Sequence, residues 1–162
     1  MRVNYAGEIA AQGLYLGAYL IENKPHLERF YLHAVDEEFV HLVWCGDRVY
    51  AQGGKVSVFN PLWFSGAFAL GACSRIAGAG YALGFVQETE TQVLRHIENH
   101  IDRMPKEDIK SLSVLKKMRE DEQAHGNHAA SLGAKELPQV VKKGMAELGN
   151  ILTQLSAWGY NE

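Results

Sequence analysis

The chain has 162 residues, 47% hydrophobic and 22% charged, the balance of one core-forming domain rather than a disordered chain. A formal net charge of -3 argues against a nucleic-acid partner, which asks for a basic face. Cys45 and Cys73 are the only thiols and form no CxxC pair, which excludes a disulfide framework and a cysteine-rich metal cluster. Any bound metal therefore falls to the 19 acids and 7 histidines. No basic-then-apolar leader opens the sequence, since Met1-Arg2-Val3-Asn4 runs straight into a periodic segment.

Four prolines (Pro25, Pro61, Pro105 and Pro138) each fall where a helix can begin. The periodicity between them predicts six helices, at roughly 3–22, 26–51, 61–76, 79–103, 107–132 and 138–157. Short connections favour antiparallel neighbours in a bundle, and the whole of 1–162 reads as one domain. Glu8, in the first helix, lies among Tyr5, Ile9, Gln12, Leu16 and Tyr19, a stripe too apolar for an idle carboxylate. In the second, Leu27, Phe30, Tyr31, Val35, Glu38, His41, Leu42 and Cys45 make one face. Residues 56–74 carry no formal charge, and 76–87 continue the run after Arg75. Nineteen uncharged residues reach the length of a membrane span. Asn60, Pro61, Ser65, Gly66 and Gly71 dilute the apolar character, so core and a surface dipping into one leaflet are the rival readings. Trp63, Phe64 and Phe68 favour the interfacial one, because such rings prefer the water–lipid boundary. The fifth helix repeats the pattern of the second with Leu112, Leu115, Met118, Glu122, His125 and Ala129.

Asp36-Glu37-Glu38-Phe39-Val40-His41 and Glu120-Asp121-Glu122-Gln123-Ala124-His125 share the form acid-acid-Glu-x-x-His. Residues three apart share a helix face, so each Glu-x-x-His can grip one metal. A two-metal site also needs carboxylates from two further helices. Glu8 precedes Glu38 by 30 residues, and Glu90 precedes Glu122 by 32, with Glu88 a rival to Glu90. Two helical pairs each offering Glu … Glu-x-x-His are the ligand set of ferritin-like di-iron and di-manganese bundles. The expected fold is therefore all-α, a ferritin-like four-helix bundle with two additional helices. Carboxylate and imidazole donors suit iron or manganese better than zinc. His96 is either an exposed, hydrogen-bonded residue or a neighbour of the metal ligands. His26, His33 and His128 read as surface or packing residues, Cys45 and Cys73 as small core residues, and Tyr15 and Tyr19 as packing residues. Gly78-Ala79-Gly80 lacks the pattern of a nucleotide-phosphate loop.

Arg2-Val3-Asn4-Tyr5-Ala6-Gly7-Glu8 with Gln12-Gly13-Leu14-Tyr15 resembles the opening helix of the demethoxyubiquinone hydroxylases. Glu38-Phe39-Val40-His41-Leu42, Asn60-Pro61-Leu62-Trp63, Leu83-Gly84-Phe85-Val86 and Met118-Arg119-Glu120-Asp121-Glu122 extend the resemblance over nearly the whole chain. The resemblance implies a di-iron monooxygenase that hydroxylates the ring of demethoxyubiquinol with O2 in ubiquinone biosynthesis. Its two irons would take Glu8, Glu38, His41, Glu90, Glu122 and His125 as ligands, with NADH as electron source. It also implies a peripheral place on the cytoplasmic side of the cell membrane and a polyprenylated quinol substrate. Membrane lipid and other ubiquinone-biosynthesis proteins would be its partners, with self-association open. A ferritin-like iron-storage protein is the rival reading. Leu62 and Phe85, with the small residues Gly66, Ala69 and Gly84, are the expected wall of a quinone channel, and Trp63, Phe64, Phe68 and Leu70 are expected to lie exposed. The sequence departs from the family at Tyr5, where a histidine is usual, at Ile97, where tyrosine is common, and in a tail, 155–162, without the usual basic ending. It also begins at the first ligand helix, without the extension bacterial members often carry.

Overall fold

A computed structural model describes residues 1–158. Six helices follow in order: α1 (Arg2–Ile21), α2 (Pro25–Ala51), α3 (Asn60–Ala77), α4 (Ala79–Arg103), α5 (Ile109–Ser131) and α6 (Gln139–Ala157). No strand occurs among the described residues. The fold is all-α, a ferritin-like bundle of α1, α2, α4 and α5 with α3 and α6 added to it. α5 starts at Ile109 rather than 107 because Asp108 is its N-cap, its carboxylate accepting from the Ser111 N–H at 3.1 Å.

Side-chain contacts give the helix directions. Tyr5 faces Gly46 and Tyr15 faces Phe30, so α1 and α2 are antiparallel. Asn4 meets His100 and Tyr15 meets Glu90, which sets α4 antiparallel to α1. Arg48 donates to Ser111 and Asp108, each at 3.0 Å, while Phe30 meets His128, so α2 and α5 are antiparallel too. The α1–α2 turn is held by Glu22, which accepts the Asn23 and Lys24 N–H groups and a two-pronged Arg75 guanidinium at 2.6 and 2.8 Å. Burial alone would push the Glu22 carboxyl up, but these donors outweigh it and hold it at about 2.

α3 lies against α1 with the two backbones in contact. A Cβ on Gly17 would stand 2.0 Å from the Phe68 carbonyl oxygen, and one on Gly71 would stand 2.1 Å from that of Leu14. Only glycine permits that approach. The docking turns Trp63, Phe64, Phe68 and Leu70 inward, so they are half-buried and not exposed as the sequence suggests. Trp63 Nε1 donates to Ser156 Oγ of α6 at 3.0 Å, the Phe64 and Phe68 rings stack, and Leu70 packs on the core. The outer face carries Leu62 and Ile76 instead, 57% and 71% exposed, with Val58 just before the helix. Cys73 is on that outer side and exposed, contrary to the expectation of a core residue.

The uncharged run in α4 is bundle core, with Ala82, Leu83 and Val86 buried. Gly84 leaves no room for a ligand, because its absent side chain admits the chain itself: a Cβ there would lie 2.2 Å from the Lys135 carbonyl oxygen. Two apolar clusters fill the bundle. One contains Leu14, Tyr15, Leu27, Phe30, Tyr31, Leu83 and Val86; the other Cys45, Ile97, Leu115 and Met118. Buried acids and histidines from all four bundle helices complete its interior.

Candidate metal centre

Each bundle helix sends at least one charged group inward: Glu8 from α1, Glu38 and His41 from α2, Glu90 from α4, Glu122 and His125 from α5. All six are buried. Two groups of four form, Glu8–Glu38–His41–Glu122 and Glu38–Glu90–Glu122–His125, and within each the donor atoms lie within 4.8 Å of one another. Glu38 and Glu122 belong to both. Glu90 belongs to the second group and Glu88 to neither; Glu88 accepts from Gln92 and lies 3.6 Å from Lys142.

The imidazoles enter with their Nδ1 atoms. His41 Nδ1 lies 3.2 Å from Glu122, 3.3 Å from Glu38 and 3.7 Å from Glu8. His125 Nδ1 lies 3.2 Å from Glu38 and 3.3 Å from Glu122. The opposite nitrogens are taken by acids of the facing helix. His41 Nε2 donates to Asp121 Oδ2 of α5 at 3.2 Å, and His125 Nε2 donates to Glu37 Oε2 of α2 at 2.8 Å. Thus the residue before each ligand glutamate braces the other helix's histidine. Beyond the braces stand exposed partners, Lys117 on Asp121 and His33 with its Nδ1 2.9 Å from Glu37. Tyr15, fully buried, donates its hydroxyl to Glu90 Oε1 at 2.5 Å. Sequence reasoning gave Tyr15 a packing role because its acceptor lies 75 residues away.

Burial opposes charge on His41, yet contacts with Glu122, Glu38 and Glu8 outweigh it and hold the imidazole protonated far above its ordinary range. His125 is likewise pushed up, to about 12, by Glu122 and Glu38 against the pull of burial. Burial raises the Glu38 carboxyl, but hydrogen bonds from His125 and His41 prevail and hold it at about 2. Glu8 and Glu90 go the other way: burial and the neighbouring charges of Glu38 and Glu122 push both well above the carboxylate range.

The residues fit a pair of divalent cations. Four carboxylates carry four negative charges, which two such cations neutralise with both imidazoles uncharged. Glu38 Oε1 and Glu122 Oε1 are buried with no well-aligned hydrogen bond, only an imidazole Nδ1 at 3.2 Å beside each, and these glutamates are the two shared by both groups. Each of these carboxylates thus sits between both imidazoles, where a bound cation would replace the Nδ1 protons as its partner. Oxygen donors with one imidazole per group suit iron or manganese.

His96 stands apart from the cluster. Its ring meets that of His100, which donates its Nδ1–H to Asn4 Oδ1 at 2.8 Å, and both line a cavity of about 510 Å³ with Arg2, Gln52, Asn99 and Arg103. Burial pushes both imidazoles below their ordinary range, His100 to about 4. Tyr5, in the place of the family's usual histidine, packs with the Cys45–Ile97–Leu115–Met118 cluster against Gly46.

The sequence model described as "Ubiquinone biosynthesis protein COQ7" matches residues 1–156. The chain belongs to the COQ7 family. Among its COQ7-family relatives, the 3-demethoxyubiquinol 3-hydroxylase of Legionella pneumophila (strain Corby) is 43% identical over 156 residues, covering 96% of this chain and 73% of the relative. The protein of the same name from Paracidovorax citrulli is 42% identical over 153 residues, covering 94% and 75%. That of Nitrosococcus oceani is 42% identical over 158 residues, covering 98% and 74%.

Proposed function

We propose that this chain hydroxylates the ring of demethoxyubiquinol in ubiquinone biosynthesis, with O2 as oxidant and two irons held by Glu8, Glu38, His41, Glu90, Glu122 and His125. The observation that carries the reading is the pair of overlapping ligand groups sharing Glu38 and Glu122, in a chain 43% identical to a named 3-demethoxyubiquinol 3-hydroxylase. When bound, the iron pair supplies dioxygen activation and redox capacity. The protein's own residues set the conditions. Asp121 and Glu37 keep a proton on Nε2 of His41 and His125, so the proton that metal would displace is the one on Nδ1, the nitrogen that faces the carboxylates. Tyr15 holds Glu90 in place, and the apolar clusters keep bulk water from the four carboxylates.

NADH is the electron source in this reading. The polyprenyl tail calls for a lipid surface, and the protein works at the cytoplasmic side of the cell membrane as a peripheral protein. Support comes from the exposed apolar residues Val58, Leu62 and Ile76 along α3. Among the described residues no helix is long and apolar enough to cross a membrane.

Complementation of cells that accumulate demethoxyubiquinone tests the proposal. The chain should restore ubiquinone, and Glu122→Ala should not. Persistence of the precursor, with iron-loaded protein present at many irons per chain, would favour storage instead.

A further inference from the structure

The two metal positions differ in what stands behind their ligands. Glu90 is pinned by the Tyr15 hydroxyl at 2.5 Å, whereas Glu8 makes no hydrogen bond with a residue outside the six. The histidine braces differ in the same sense. Glu37 meets His125 at 2.8 Å, while Asp121 meets His41 at the longer 3.2 Å; each brace also holds an outer partner, His33 on Glu37 and Lys117 on Asp121. A ligand held in its binding orientation loses less freedom when a metal arrives, and a firmly accepted Nε2–H makes the imidazole a better donor. Both differences favour the Glu90–His125 side.

We infer that the centre is built unequal: the Glu90–His125 position binds metal first and more tightly, with Tyr15 and Glu37 as its positioning residues. The Glu8–His41 position is the weaker one, because among the described residues Glu8 has no partner outside the six to fix it. The inference deepens the metal-centre reading and rests on it.

Anaerobic titration of the metal-stripped full chain with Fe2+, followed calorimetrically, provides the test. The unaltered chain should bind two Fe2+ in resolved steps. Tyr15→Phe, which removes the hydroxyl alone, should weaken the tighter step about 10–100-fold and leave the weaker one in place. Glu37→Gln should do the same, and it serves where Tyr15→Phe fails to fold. Glu8→Gln should abolish the weaker step and spare the tighter. Thermal midpoints of the metal-stripped variants separate these effects from loss of structure, because a merely structural role would weaken both steps together. Two equal steps, or loss of the tighter step in Glu8→Gln, overturn the inference while leaving a two-metal centre. No Fe2+ uptake by the unaltered chain overturns the metal-centre reading and the inference with it.

Discussion

The ligand glutamates make opposite contributions to the metal-free protein, and three isosteric substitutions expose this. Glu38 is a buried anion fixed by two protonated imidazoles, with its carboxyl held at about 2. Glu8 and Glu90 are raised well above the carboxylate range by burial and by their neighbours, which favours their protonated forms. Glutamine closely copies a protonated glutamate, and its carbonyl still accepts from Tyr15 at position 90. Glu8→Gln and Glu90→Gln should therefore be neutral to slightly stabilising in chelator-treated protein. Glu38→Gln instead removes the anion between His41 and His125 and leaves two buried cations facing each other. Breaking a buried ion pair costs about 3–5 kcal/mol. For a chain of this size that lowers the thermal midpoint by about 6–20 °C. Circular dichroism melts of the three variants in chelator measure the difference directly. Equal losses in Glu8→Gln and Glu38→Gln would refute the assigned charges. Removal of a carboxylate thus does not relieve repulsion at Glu38, where the histidines already balance it.

Gly17→Ala should destabilise, because a Cβ 2.0 Å from the Phe68 carbonyl must reach an ordinary contact near 3.4 Å by pushing α3 back. The overpacking cost of about 1–3 kcal/mol offsets a helix-propensity gain of about 1 kcal/mol, whereas Gly144→Ala meets nothing within 4 Å and should keep that gain; thermal melts rank them. Glu22 is held at about 2, below its ordinary 4.5, so its stabilisation is present above about pH 4.5 and is lost as pH falls through 2. Arg75→Met should leave Glu22 with only the Asn23 and Lys24 N–H groups, cost about 1.5–3 kcal/mol at neutral pH and flatten that acid limb in a urea-unfolding series. Metal uptake must displace protons from His41, His125, Glu8 and Glu90, all shifted upward, so affinity should fall with pH and binding should release protons. Titration with Mn2+ in buffers of different ionisation enthalpy counts those protons.

The six clustered residues were legible in the sequence because their signal is local and repeated. Glu-x-x-His fixes two donors on one helical face, and it occurs twice, 84 residues apart, each time after a lone inward glutamate. The helices were legible for a similar reason, since proline and period mark their ends. The braces were not legible. Glu37 and Asp121 stand in acid triplets that look like solvated faces, and only the antiparallel crossing of α2 and α5 brings each to the other's histidine. Tyr15 reads as packing until α4 places Glu90 beside it. Gly84 misled: it suggested an open channel, but a missing side chain is as readily filled by backbone, here Lys135. Trp63, Phe64 and Phe68 misled because the α1 glycines that draw α3 inward lie some fifty residues away in sequence.

One measurement bears most directly on the two-metal hydroxylating centre: mass analysis of the quinone formed by the iron-loaded, full-length chain with demethoxyubiquinol, NADH and isotopically heavy dioxygen. One heavy oxygen in each newly hydroxylated ring, with neither turnover nor two-iron binding in Glu38→Gln, is the predicted result. A product carrying only light oxygen from water, or full turnover by Glu38→Gln, would contradict it.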